Sequence, residues 1–153
     1  MKFDKILVPV DFSESSRVAL KHAIHFGNKL GARGVDVLHV WVPPKFLDPE
    51  TKLKQEEKEE TLVDFVQSQA GQSMKEFLSE MEDSGQFEVR GRLESGQPDD
   101  TILQVAAAEH YDLIIMGTLG KTGSAKLGSI AQRVVRNANC PVLTIRTPPT
   151  DKE

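Results

Sequence analysis

The residues best suited to chemistry lie together in Gly117-Thr118-Leu119-Gly120-Lys121-Thr122-Gly123-Ser124-Ala125-Lys126-Leu127-Gly128-Ser129. Four glycines in this run let the backbone turn tightly and approach a ligand with no Cβ in the way. Gly128-Ser129 opens an apolar-periodic stretch, and the free amides at a helix start favour an anion. Ser129 can cap that helix or donate its hydroxyl to a phosphate, and Lys121 and Lys126 add positive charge. The indicated chemistry is phosphate binding; the competing reading is a plain glycine-rich connection before a capped helix. Two familiar phosphate loops do not fit. Gly123 to Gly128 has Walker spacing, but Ser129 stands where the lysine belongs. A dinucleotide fingerprint follows the first strand as Gly-x-Gly-x-x-Gly; these glycines follow the fourth and lack the first pair.

A loop of this kind needs a strand before it and a helix behind it, and the chain supplies both repeatedly. Short apolar runs bounded by turn residues are expected as strands at Lys5–Val10, Gly34–Trp41, Phe87–Leu93, Leu113–Met116 and Val142–Ile145. Leu113-Ile114-Ile115-Met116, apolar on both alternations, suits a strand covered on both faces. Between them, apolar residues recur at steps of three and four. Helices are expected over Ser13–Leu30, Thr61–Met81, Asp99–His110 and Ser129–Asn137, with Ser13 or Asp11 as the first N-cap and Gly31 as its C-cap. This strict β-α alternation predicts an α/β fold: one doubly wound, five-stranded parallel sheet with helices on both faces. Pro43–Glu60 breaks the pattern with prolines and a mixed-charge run from Lys52 to Glu60. It reads as a surface loop leading into a solvated first part of the second helix.

Bulk properties narrow the partners. With 153 residues, 39% hydrophobic and 27% charged, the chain has apolar material for one core. A domain over 1–147 and a short polar tail over 148–153 are expected. The net charge of −4 and pI of about 5.6 lack the basic excess of a nucleic-acid binder, so no nucleic-acid partner is expected. No run reaches the length of a membrane span and the start does not read as a signal peptide, so the expected setting is the cytoplasm. A single cysteine, Cys140, leaves no internal disulfide or multi-thiolate metal site and reads as a small packed side chain.

The remaining polar residues offer little catalysis. His22 and His25, at i and i+3, find no third metal ligand and read as surface or packed side chains; no metal site is assigned. His39 is expected to be hydrogen-bonded near the sheet, and Trp41 to pack in the core or at a rim rather than stack on a base. No catalytic residue is assigned, no base for hydrolysis can be named, and an enzyme is not read.

Several segments in order carry a likeness. Ile6-Leu7-Val8-Pro9-Val10-Asp11-Phe12-Ser13-Glu14-Ser15 is followed by Leu38-His39-Val40 and Gly96-Gln97-Pro98. Next come Asp112-Leu113-Ile114-Ile115-Met116-Gly117-Thr118, the glycine loop, Gly128-Ser129-Ile130-Ala131-Gln132-Arg133-Val134-Val135, and Cys140-Pro141-Val142-Leu143. Over nearly its whole length the chain resembles the single-domain universal stress proteins.

The resemblance implies an adenine nucleotide, ATP with Mg²⁺ in the binding members, lying over the carboxyl ends of the first and fourth strands. By position, Pro9, Val10 and Asp11 would border the adenosine, with Asp11 near the ribose hydroxyls or, alternatively, capping the first helix. Val40 would touch adenine; Met116, Gly117 and Gly120 would line the path to the phosphates; Gly128, Ser129 and Ile130 would hold them. The resemblance also implies a homodimer through the last strand, Val142, Leu143, Thr144 and Ile145, serving a stress response. The chain departs from the family in one respect: Gly120 and Gly128 enclose seven residues where the nucleotide-binding pattern has nine. The alternative reading is therefore a dimeric stress or interaction protein that holds no nucleotide and meets an unknown protein partner.

Overall fold

The computed structural model describes residues 2–43, 52–55, 58–81, 85–118 and 127–147. Its centre is β1 (Ile6–Pro9), all four residues buried, paired in parallel with β2 (Gly34–Trp41) on one side and β6 (Leu113–Gly117) on the other. β5 (Glu88–Ser95) extends the sheet beyond β2, and β7 (Val142–Ile145) beyond β6. The order β5-β2-β1-β6-β7 is parallel throughout, so the chain winds outward one way from β1 and then the other. That reversal leaves a crevice at the carboxyl ends of β1 and β6, where open α/β sheets hold ligands.

Side-chain alternation builds a core on each face. Ile6, Val8, Val35, Val37 and Ile115 point with Phe77 and Leu20 into the layer of α1 (Glu14–Leu30) and α2 (Leu62–Ser79). Leu7, Leu38, Val40, Ile114 and Met116 point into the layer of α3 (Pro98–Ala108) and α4 (Ser129–Asn137). Consecutive residues feed opposite layers, which is why these runs are apolar on both alternations.

The helix ends follow their capping chemistry. Ser13 caps α1, its hydroxyl accepting from the Ser16 amide at 3.2 Å, and Gly31 closes the helix at φ +80°, where a side chain is disfavoured. Ser13→Ala is expected to cost about 1 kcal/mol. Thermal unfolding should show that as a Tm lowered by roughly 2–4 °C.

Of the expected loop at 43–60, residues 44–51, 56 and 57 lie outside the described residues, and the described strands differ from expectation. In place of a loop and a solvated helical turn, Lys52–Gln55 (β3) pairs antiparallel with Lys58–Thr61 (β4) as a small separate sheet. The register sets Lys54 across from Glu59, opposite-charge residue types at facing positions. α2 starts only at Leu62, with Thr61 as its cap, accepting from the Asp64 amide at 3.1 Å. No described helix is long and apolar enough to cross a membrane.

Candidate functional site

The crevice at the strand ends is a cleft of about 340 Å³. β1 brings Pro9, Val10 and Asp11 to it; β2 brings Leu38, His39 and Val40; β6 and its exit bring Met116, Gly117 and Thr118. Pro98 and Ile102 of α3 form one wall, and Gly128 with Ser129, Ile130 and Ala131 of α4 the facing one. Val40, Ile102 and Met116 are buried and give apolar lining, while Asp11, Ser129 and the buried Ser16 and Thr118 supply polar atoms. An apolar chamber with a few convergent polar groups is the usual form of a small-molecule site.

One end of the cleft is suited to negative charge. Gly128 precedes α4 with φ −60° and ψ 154°, and α4 has neither a side-chain cap bond nor an acidic residue in its first turn. α1 and α2 are capped by Ser13 and Thr61, and α3 carries Asp99 and Asp100 in its first turn. Amides left uncapped at a helix start, with the helix dipole behind them, favour an anion. The Gly128 amide donates to the Thr118 carbonyl at 2.8 Å, and the Thr118 amide to the Ile145 carbonyl at 3.2 Å. The glycine-rich segment is thereby tied at its base to the sheet. Gly120, Lys121 and Lys126 lie outside the described residues.

Asp11 is held rather than loose. Its Oδ1 accepts from the Ser16 hydroxyl at 2.7 Å and the Ser13 amide at 3.0 Å, and its own amide donates to Ser16 Oγ at 3.0 Å. The cap of α1 is Ser13, so Asp11 does not serve as that cap and stands in the turn just before it. Phe12, next in the turn, has φ +65°, a strained conformation for a bulky residue. It is retained because its carbonyl accepts from Arg17 Nη1 at 2.9 Å and its ring lies 4.2 Å from His39 and 5.4 Å from Phe77. His39 Nδ1 in turn donates to the Val10 carbonyl at 3.0 Å, the hydrogen bond expected of it.

The structure thus brings nine of the residues named from the sequence to one cleft: Pro9, Val10, Asp11, Val40, Met116, Gly117, Gly128, Ser129 and Ile130. Sequence reasoning missed the α3 wall, Pro98 and Ile102. The signal was present in Gly96-Gln97-Pro98, since a proline in the first helical position marks a helix opening at the same sheet edge. Trp41 lies half-buried at the end of β2, outside the cleft lining, with its carbonyl accepting from Gly96 at 3.1 Å. His22 bonds the Val18 carbonyl at 2.9 Å, and His25 packs edge-on against Phe26. Cys140 packs beside the α3–α4 core, its thiol pKa raised by burial and by Asp112. Burial acts to raise the Asp99 carboxyl, but the Asp100 amide and Arg133 guanidinium outweigh it and hold Asp99 below its ordinary value. Tyr111 is pushed up by burial and by donating to Asp36 at 2.6 Å.

Known proteins share this architecture. The universal stress protein family matches residues 2–146. Universal stress protein MJ0531 of Methanocaldococcus jannaschii is 32% identical over 148 residues, covering 95% of this chain and 84% of that one. The solved structure of protein MJ0577 from the same organism superposes with a TM-score of 0.75 at 30% identity, covering 98% of this chain and 100% of its own. The universal stress protein of Archaeoglobus fulgidus in complex with dAMP superposes at 0.67 with 22% identity, covering 95% and 99%, a likeness of fold alone. By family match, sequence identity and sheet topology together, this chain belongs to the universal stress protein family.

Proposed function

We propose that the chain binds an adenine nucleotide in this cleft, ATP foremost, and serves a cytoplasmic stress response as a homodimer joined along β7. One observation carries the nucleotide reading: an apolar chamber sized for a base and sugar ends at the uncapped start of α4. The base would lie over Val40 and Met116, the ribose beside Asp11, and the phosphates against Gly128, Ser129 and Ile130, with Mg²⁺ accompanying a triphosphate. Solved universal stress proteins in complex with dAMP, cAMP and AMP support the ligand class. Asp11 is the only carboxylate among the described cleft residues, and Ser13 and Ser16 already bond it, so no hydrolytic role is proposed.

Titration calorimetry and thermal unfolding with ATP and Mg²⁺, and with AMP, test the reading. Heat of binding is expected, with about 2.7 kcal/mol of stabilisation at a ligand concentration of 100 Kd. Neither heat nor a Tm shift at millimolar nucleotide would overturn it.

A second reading, a dimeric interaction protein that holds no nucleotide and meets an unknown protein partner, is favoured by the seven-residue spacing between Gly120 and Gly128. Its motivation in the fold is β7, which pairs with β6 on one side and ends the sheet on the other. Protein purified without nucleotide yet dimeric by light scattering would select it.

A further inference from the structure

The two helices that wall the cleft are joined in two different ways along their length. Deep in the layer the join is apolar: Ile102, Val105 and Ala106 of α3 belong to one cluster with Ala131 and Val134 of α4. At the mouth apolar burial gives out, with Ile130 40% exposed. There the join is ionic. Arg133 Nη1 donates to Asp99 Oδ2 at 2.8 Å, and Nη2 to Asp100 Oδ1 at 2.7 Å. One planar guanidinium therefore takes a carboxylate from each of two successive residues, and α3 cannot turn about its axis without breaking one bond. A lysine ammonium has no such fork. Asp99 and Asp100 sit in the first turn of α3, where the helix dipole favours their charge, directly after the cleft residue Pro98. Arg133 is one turn beyond Ser129 and Ile130, so the same fork sets how the first turn of α4 faces the cleft.

We propose that Arg133, through Asp99 and Asp100, is a positioning clamp that fixes the spacing of α3 and α4 at the mouth and thereby sets how tightly the cleft holds its ligand. The inference rests on the nucleotide reading above. Arg133 is not a cleft-lining residue, so it acts only through Pro98 and Ile102 on one wall and Ser129 and Ile130 on the other. The Arg133 side chain is 52% exposed and that of Asp100 48%, so that pair adds little to global stability, and the pair with Asp99, 22% exposed, is screened from the Arg133 side. Ligand grip depends far more steeply on geometry than stability does, since displacements of half an ångström or so already matter in a binding site.

The test uses the full chain with Arg133→Gln, Arg133→Lys, the pair Asp99→Asn with Asp100→Asn, and all three neutral changes combined. AMP affinity is measured for each, and amide hydrogen exchange is followed without ligand. Arg133→Gln and the double Asn variant should each weaken AMP binding about 3- to 10-fold, and the combined variant should be no weaker than either. Arg133→Lys should recover only part of the loss. In ligand-free protein the first turns of α3 and α4 should exchange faster while α1 stays unchanged. Affinities within about twofold of the parent, or losses that multiply in the combined variant, would overturn the clamp. Where the parent protein binds ATP but not AMP, the same affinities are compared with ATP; a parent with affinity for neither overturns the nucleotide reading instead, and hydrogen exchange then decides the clamp, unchanged protection counting against it.

Discussion

Gly128→Val is expected to remove adenine-nucleotide binding while leaving the protein folded. Gly128 has φ −60° and ψ 154°, backbone that any residue adopts, so the change introduces no left-handed strain. Its amide can still donate to the Thr118 carbonyl, since only the side chain differs. Valine is a poorer helix N-cap than glycine, a penalty of about 1 kcal/mol. The branched side chain is, however, expected to fill cleft space that Gly128 lines together with Ser129 and Ile130, and so to bar a phosphate from their amides. Two hydrogen bonds to a charged phosphate contribute about 1.5–3 kcal/mol each, and each 1.4 kcal/mol is about tenfold in Kd. The loss should reach at least about 100-fold by calorimetry with ATP or AMP, against a Tm lowered by only a few degrees. Binding within about threefold of the parent protein would place the phosphates elsewhere.

The second large effect falls on stability and site together. A Cβ built on Gly117 meets the Ser15 hydroxyl and lies 2.9 Å from the Ser15 carbonyl oxygen, which belongs to the first turn of α1. Ser15 is 5% exposed, so neither group can step aside into solvent. Gly117→Ala therefore forces α1 away from β6, an overpacking cost of about 1–3 kcal/mol. Denaturant unfolding should show a lower midpoint with an unchanged slope. The shift should also weaken nucleotide binding, because the displaced turn carries Ser13 and Ser16, the partners of Asp11. Adding Ser15→Ala removes the hydroxyl contact but not the carbonyl one, so only part of the stability should return. Full stability in Gly117→Ala alone would refute the tight approach of α1 to β6.

How far the sequence reached depended on whether a feature was local. Val142–Ile145 and Ser129–Asn137 were found with the bounds read from the chain, since each is set by its own periodicity and flanking turn residues. The expected strand at Phe87–Leu93 runs instead from Glu88 to Ser95. Its polar end is tolerated because β5 is an outermost strand, and Glu94 and Ser95 pair with Val40 and Trp41. The β3–β4 hairpin was hidden by its composition. Lysines and glutamates at three and four spacing read as an exposed helical face, and four-residue strands are too short to show a period of two clearly. The choice between Asp11 and Ser13 as cap needed coordinates, because both lie at workable spacing ahead of the same turn. Pro98 and Ile102 escaped notice because Gly96-Gln97-Pro98 marks only where α3 opens, and it takes the winding of the sheet to bring that opening beside α4.

The two outermost strands differ in what they offer a neighbour. β5 carries Glu88, Arg90, Arg92 and Glu94, with Arg90 bonded inward to Asp36 and Arg92 to Glu94 and Glu109, whereas β7 reads Val-Leu-Thr-Ile. Charge along an edge discourages the addition of another chain. The proposed self-association through β7 would use the same patch twice about a two-fold axis and so close on itself, leaving charged margins at both extremities. On that proposal assembly would stop after one partner, because the charged β5 edges left outermost resist the addition of a further strand.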